Sequence, residues 1–391
     1  MKQNCRFVVL TVDYEVFGNG TGDVREHVIA PAEQMALACE KHQVPLTLFF
    51  DVEEYLAFER EATRLKRDLG YDPAQLMREQ AAALLARGHA LQLHLHPQWH
   101  GARYEKGEWI LRPEMHTVDD LFATPEQVRD YIAERKSVLE EIAFPSGHGL
   151  RVSAYRAGAF CARPGTRLLP GLAAAGVIID SSVVHGLCNR NEHTILDYTH
   201  TPSGKRAWRV SNDVAVEDPA GPVWELPVTS ISGRRIHQLG WQRLRAKFSR
   251  RIPARRRTEQ LQQFGLGWNP IKVARFLGQK TPLKFDYHNV PPAKLYRWIK
   301  NYPRPASGEL DLVVLIGHTK EHLNHRAFEQ LLELVARDPE LRVVSFSEVA
   351  EMLRAESKEQ GAEGRQWTVD GGRGTVDGGR GTVDGRQWTV E

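Results

Sequence analysis

Apolar runs of strand length recur along the chain at residues 7–12, 45–50, 91–96, 153–157, 177–180, 223–228, 312–316 and 341–346. Between them, residues 31–42, 73–87, 125–141, 326–337 and 347–354 space their apolar positions at helical intervals. Strand alternating with helix predicts an α/β fold with a parallel sheet or barrel. Such folds collect functional groups where strands run out into loops, at their C-terminal ends.

Two stretches break the rhythm. Residues 232–305 are rich in basic and aromatic side chains and read as an insertion. If 241–252 is helical, Trp241, Leu244, Phe248 and Ile252 share a face, with Arg243, Lys247, Arg250 and Arg251 around it and Pro253 ending the turn. Such a helix either packs on the main body or lies on an anionic membrane face. The other stretch is the C-terminal tail, where four heptads, GRQWTVD, GGRGTVD, GGRGTVD and GRQWTVE, occupy residues 364–391. Their apolar surface is too small to offset ordering entropy, so residues 357–391 are expected to form a disordered linker and tail behind a domain at 1–356.

Charge and cysteine content refine this picture. Ten of the 52 Lys and Arg fall within 234–257, where there is no acid, so the remaining sequence carries 42 basic against 49 acidic residues. The net charge of +3 is therefore one local feature, and no nucleic-acid partner is expected. The four cysteines, Cys5, Cys39, Cys161 and Cys188, lack CxxC spacing, which indicates neither a zinc ribbon nor a disulfide framework. No run reaches membrane-spanning length, and the first residues enter a strand without a signal-peptide pattern. The expectation is a soluble, cytoplasmic protein.

Candidate chemistry sits at strand ends. In HALQLHLHPQWH, alternation puts Gln92, His94 and His96 on one face of the strand and Leu91, Leu93 and Leu95 on the other. Two histidines on one face of a leucine strand are costly to bury unless paired or metallated. A carboxylate from elsewhere would complete an open metal site, and TVDYE offers Asp13 and Glu15 on a common side. One can ligate while its neighbour takes a proton. His100 is a further ligand or a surface residue, and His89 reads as a loop residue after Gly88. Arg156 in SAYRAGAF can hold a carboxylate or serve as a structural ion pair, and His318 after LVVLIG suits general acid work or simply opens a loop.

Taken in order, TVDYE, VPLTLFF, GHALQLHLHP, YRAGAF, GVIIDSSV and LIGHT resemble the motifs of the NodB-homology polysaccharide deacetylases, a family of metal-dependent carbohydrate esterases and amidases. The resemblance spans Arg6 to about Leu353, interrupted by the insertion. It implies a distorted parallel (β/α) barrel that removes an acetyl group, most simply an N-acetyl group, from a sugar in polysaccharide or glycoconjugate biosynthesis. By position, Asp13 resembles the catalytic base, Arg156 its tether, His318 the general acid, and Asp180 the acid that sets the active-site histidine's charge. Glu15 resembles the metal carboxylate, usually aspartate, and His94 the first histidine ligand. The metal implied is divalent, with zinc preferred. The substrate would be an acetylated saccharide, including a lipid-linked sugar reached by peripheral contact at the inner membrane face.

Two departures stand out. The family's second histidine, four residues after the first, falls on Gln98, so the ligand role passes to His96 or His100; His96 is preferred. The tyrosine three residues after the motif arginine is Ala159, whose backbone N–H still suits an oxyanion. Both departures leave a rival expectation, a metal-free binding or scaffold protein in a glycan assembly complex.

Overall fold

A computed structural model describes residues 5–147, 149–190, 195–238, 277–306 and 309–356. The chain divides into two compact units, Met1–Ala350 and Glu351–Glu391. Of the second, residues 351–356 are described and are helical. The heptad tail and the basic segment 241–252 lie outside the described residues.

The first unit is built on one large sheet. Its strands are β1 (Arg6–Tyr14), β2 (Thr47–Asp51), β3 (Ala90–Leu95), β4 (Ala154–Ala157), β5 (Ile179–Asp180), β6 (Trp208–Val210), β7 (Val223–Glu225), β8 (Leu312–His318) and β9 (Leu341–Val343). Their spatial order is β6-β7-β5-β4-β3-β2-β1-β8, with β9 also on β1. All neighbours are parallel except β6 and β7. One edge of β1 is shared, residues 6–8 pairing with β9 and 11–14 with β2, while β8 takes the other. Strands such as β1, β2 and β3 are buried along nearly their whole length, as expected for a parallel sheet covered on both faces.

The curled sheet forms a half-barrel whose gap is crossed by the chain after β7. Val228 N–H donates to Val183 O on one side and Thr229 N–H to Val314 O on the other, at 2.9 and 3.0 Å. On the β8 side Val314 N–H also donates to Thr229 Oγ1 at 2.9 Å, so the expected barrel is bridged here by a few hydrogen bonds beside the short strands β5 and β7.

Helices begin where the sequence supplies caps. Asp51, the last residue of β2, accepts from the Glu53 and Glu54 amides and starts the helix Val52–Arg60. Asp72 caps Pro73–Ala86, and a Thr124–Gln127 capping box starts Pro125–Ala143.

The described part of the expected insertion belongs to the main body. Ser230–Arg234 pairs antiparallel with Lys280–Lys284. Ile316 N–H on β8 donates to Phe285 O, and Tyr287 Oη donates to Thr11 O. The helix Pro292–Asn301 buries Leu295 and Ile299, and Arg6, itself buried, donates to Tyr302 O at 2.7 Å. No described helix is long and apolar enough to cross a membrane.

Candidate active site

Strand register brings the candidate residues together. Asp13 is in register with His318 on one side and Phe49 on the other; Asp51 is in register with His94, His94 with Arg156, and Tyr155 with Asp180. Each of these strands runs in the same direction, so the residues closing them share one end of the sheet.

Arg156 is fully buried and organises one half. Its Nη1 donates to Asp13 Oδ1 at 2.7 Å and to Thr11 Oγ1 at 3.0 Å, its Nε to Ser181 O at 3.0 Å, and its Nη2 to Ser181 Oγ at 3.3 Å. The guanidinium stacks 4.0 Å above the Phe49 ring. Burial pushes the Asp13 carboxyl up, but Arg156, then His94 and His318, outweigh it and hold Asp13 below its ordinary 3.8.

His318 Nε2 lies 3.4 Å from Asp13 Oδ2, and its Nδ1 lies 3.5 Å from Glu321 Oε2. Burial lowers the imidazole's pKa; Glu321 and then Asp13 raise it, and the net result is above 6.5.

The other half gathers Glu15, His94 and His96. His94 Nδ1–H donates to Arg156 O at 2.8 Å, which leaves Nε2 with its lone pair. That Nε2 and Glu15 Oε2 are 3.6 Å apart, both buried and both without a hydrogen-bond partner. His96 Nδ1 is 2.8 Å from Asp51 Oδ2 and 3.0 Å from Glu15 Oε2. Burial lowers the His96 pKa, but Glu15 and Asp51 outweigh it and raise it to about 10. Burial likewise raises Glu15, yet Lys320 and then His96 bring it well below the usual carboxylate range. Ligand-capable atoms of Glu15, His94 and His96 lie within 4.8 Å of one another, as do those of Asp13, Glu15 and His318.

This donor set fits a divalent cation. Two buried donor atoms, His94 Nε2 and Glu15 Oε2, face each other at 3.6 Å, and a backbone carbonyl orients His94 in the manner usual for a ligating imidazole. His96 turns Nδ1 toward both Asp51 and Glu15, at 2.8 and 3.0 Å, and packs its Cδ2–Nε2 edge on Gly158.

Several sequence expectations land elsewhere. Asp180, expected to govern the active-site histidine, lies in register with Glu225 and accepts from Ser182 Oγ at 2.5 Å. Glu321 is the carboxylate facing His318 Nδ1. The segment after β7 lies between β5 and β8, Leu226 N–H donating to Asp180 O and Thr229 N–H to Val314 O. His100 packs between Phe122 and Tyr131 beside Glu53 and Arg135. His89 is buried, accepting from Leu46 N–H at 3.2 Å. Gln98, in the second histidine's position, donates to Gly18 O at 2.6 Å and ties the loop after β1. Ala159 is exposed, and it and Phe160 are consecutive left-handed residues, φ 51° and 65°.

Sequence reading missed Asp51, Glu225, Lys320, Glu321 and the role of Gly158. Asp51 ends the run TLFF as Asp13 ends VVLTV, so the same strand-end rule would have found it. An added Cβ at Gly158 would sit 2.2 Å from His96 Cδ2; the glycine makes room for that ring.

No family model and no curated protein matches this chain. Its structural neighbours include a protein from Mycobacterium smegmatis described as a polysaccharide deacetylase: 15% identity, TM-score 0.46, 91% of this chain and 93% of that one. A family 4 carbohydrate esterase from Streptomyces lividans, solved with acetate, has 8% identity, TM-score 0.34 and coverage of 87% and 92%. A 4-α-glucanotransferase from Thermococcus litoralis has 10% identity, TM-score 0.42 and coverage of 88% and 40%.

Proposed function

We propose that this protein is a metal-dependent hydrolase that removes an acetyl group, most simply an N-acetyl group, from a saccharide. The observation carrying this reading is a buried Asp13–Arg156 pair within 3.4 Å of His318, beside the unpartnered donor atoms of Glu15 and His94. Glu15, His94 and His96 would hold a divalent ion, and zinc suits their nitrogen and oxygen donors. When bound, that ion supplies Lewis acidity toward an acyl oxygen and a water molecule.

The chain's own residues divide the remaining work. Asp13, kept ionised by Arg156, takes the proton of the attacking water. The exposed left-handed turn at Ala159 offers a backbone N–H to the developing oxyanion. His318, with Glu321 Oε2 3.5 Å from its Nδ1, delivers a proton from Nε2 to the departing nitrogen. An amine leaves poorly at neutral pH without that proton. Asp180 supports the mouth at a distance, because Ser182 joins it to the Ala157 amide next to Arg156.

The test is acetate release from N-acetylated saccharides, with divalent metal supplied. Asp13→Asn should lower turnover by roughly a hundredfold to ten-thousandfold while retaining bound metal. His318→Ala should slow amides more than activated esters. Absence of acetate release from both amide and ester substrates by the metal-loaded protein would overturn the assignment.

A further inference from the structure

Every carboxylate at the mouth already has a partner from the chain itself. Asp13 has Arg156 at 2.7 Å, and Asp51 has His96 at 2.8 Å. Glu15 has Lys320, whose Nζ is 2.5 Å from Oε1 and also donates to Val16 O at 3.1 Å. The Lys320 side chain is only 9% exposed. Thr319 fastens the same turn by hydrogen bonds with the Glu15 backbone, Glu15 N–H donating to its Oγ1 and Oγ1 donating to Glu15 O. The run HTKE thus presents His318 to Asp13 and Lys320 to Glu15 from one short segment.

An ammonium on Oε1 leaves Oε2 as the glutamate oxygen turned toward His94 Nε2 and His96 Nδ1, at 3.6 and 3.0 Å. It also places a fixed positive charge beside any cation that Oε2 would bind, in a desolvated setting where charges are poorly screened. We propose that Lys320 is a positioning residue that restricts Glu15 to binding through Oε2 and competes with a divalent cation for that carboxylate, making the metal site weak and readily exchangeable. This rests on the metal reading above. It also separates Lys320 from a merely structural ion pair, whose loss would disorder Glu15 and weaken binding.

The test uses the full chain, stripped with a chelator and titrated with Zn²⁺ and with Co²⁺, in wild type, Lys320→Met, Lys320→Gln and Lys320→Arg. Calorimetry gives the affinity, and the Co²⁺ visible spectrum reports the ligand set independently of turnover. Lys320→Met and Lys320→Gln should bind at least tenfold more tightly than wild type, and Lys320→Arg close to wild type. Lys320→Gln keeps a hydrogen bond to Glu15 and decides the matter if Lys320→Met does not fold. Equal or weaker binding in Lys320→Gln, with wild type binding normally, would overturn the role of Lys320 and leave the metal site standing. No binding by wild type or any variant would overturn the metal reading, and this inference with it.

Discussion

Gly158→Ala is a steric probe of His96. Gly158 lies outside the left-handed region, so alanine meets no backbone penalty there. The new Cβ would nevertheless fall 2.2 Å from His96 Cδ2 and 2.8 Å from Nε2. Restoring ordinary contact requires the ring to retreat by about 1.2 Å, the difference from a normal 3.4 Å approach. The ring has little room to do so, being buried and held at 2.8 Å by Asp51 and 3.0 Å by Glu15. Overpacking costs about 1–3 kcal/mol, and loss of a charge-assisted hydrogen bond about 1.5–3 kcal/mol. A combined destabilisation of roughly 2.5–6 kcal/mol follows, or a fall in Tm of about 5–12 °C at about 2 °C per kcal/mol. Because the ring would ligate, divalent-metal affinity should fall by about tenfold to a hundredfold. Thermal melts and chelator competition measure both, with Gly149→Ala as control, since an added Cβ there meets no atom within 4 Å. A Gly158→Ala protein that melts and binds metal like wild type would refute this placement of His96.

Two further perturbations probe the buried charges. Arg156→Met should cost about 3–5 kcal/mol in urea unfolding, because it strands Asp13 without a cation; adding Asp13→Asn should recover part of the loss, and a purely additive double variant would argue against the pair. Burial, and then the neighbouring Asp180, push Glu225 well above its ordinary 4.5. The folded state therefore binds more protons than the unfolded one, and this contribution to stability is full below pH 4.5 and lost as pH rises through the folded value. Stability against pH should decline less steeply in Glu225→Gln than in wild type, whereas parallel curves would contradict a Glu225 carboxyl raised by burial and by Asp180.

What the sequence conveys is tied to local periodicity. Strands β1, β3 and β8 are long apolar runs, and their terminal Asp13, His94 and His318 stand out because a charged or titratable group follows a buried stretch. Alternation alone puts His94 and His96 on a common face, and the structure brings both within reach of Glu15. Less legible are features that depend on distant partners. The strand Ser230–Arg234 pairs with residues some 50 positions later, so its edge cannot be recognised locally. Asp180 follows an apolar run like the others, but its neighbour Glu225 is revealed only by the order of the sheet. Lys320 shows no periodic signal, since its role depends on a single turn folding back on the end of β1.

The central position of β1 also bears on how the protein is made. Its residues Phe7–Asp13 pair with Leu312–His318, about 300 residues later in the chain. At a synthesis rate of about 5–20 residues per second, the first strand waits on the order of 15–60 s for that neighbour. Throughout that interval an apolar strand has an open edge, a template for pairing with another chain. A polypeptide halted before residue 312 retains Asp13, Glu15, His94 and Arg156 but lacks both the strand that covers β1 and the turn that neutralises Glu15. The meeting of Asp13 with His318 is thus among the last events of biosynthesis, and early termination leaves a nascent chain with an exposed apolar strand edge.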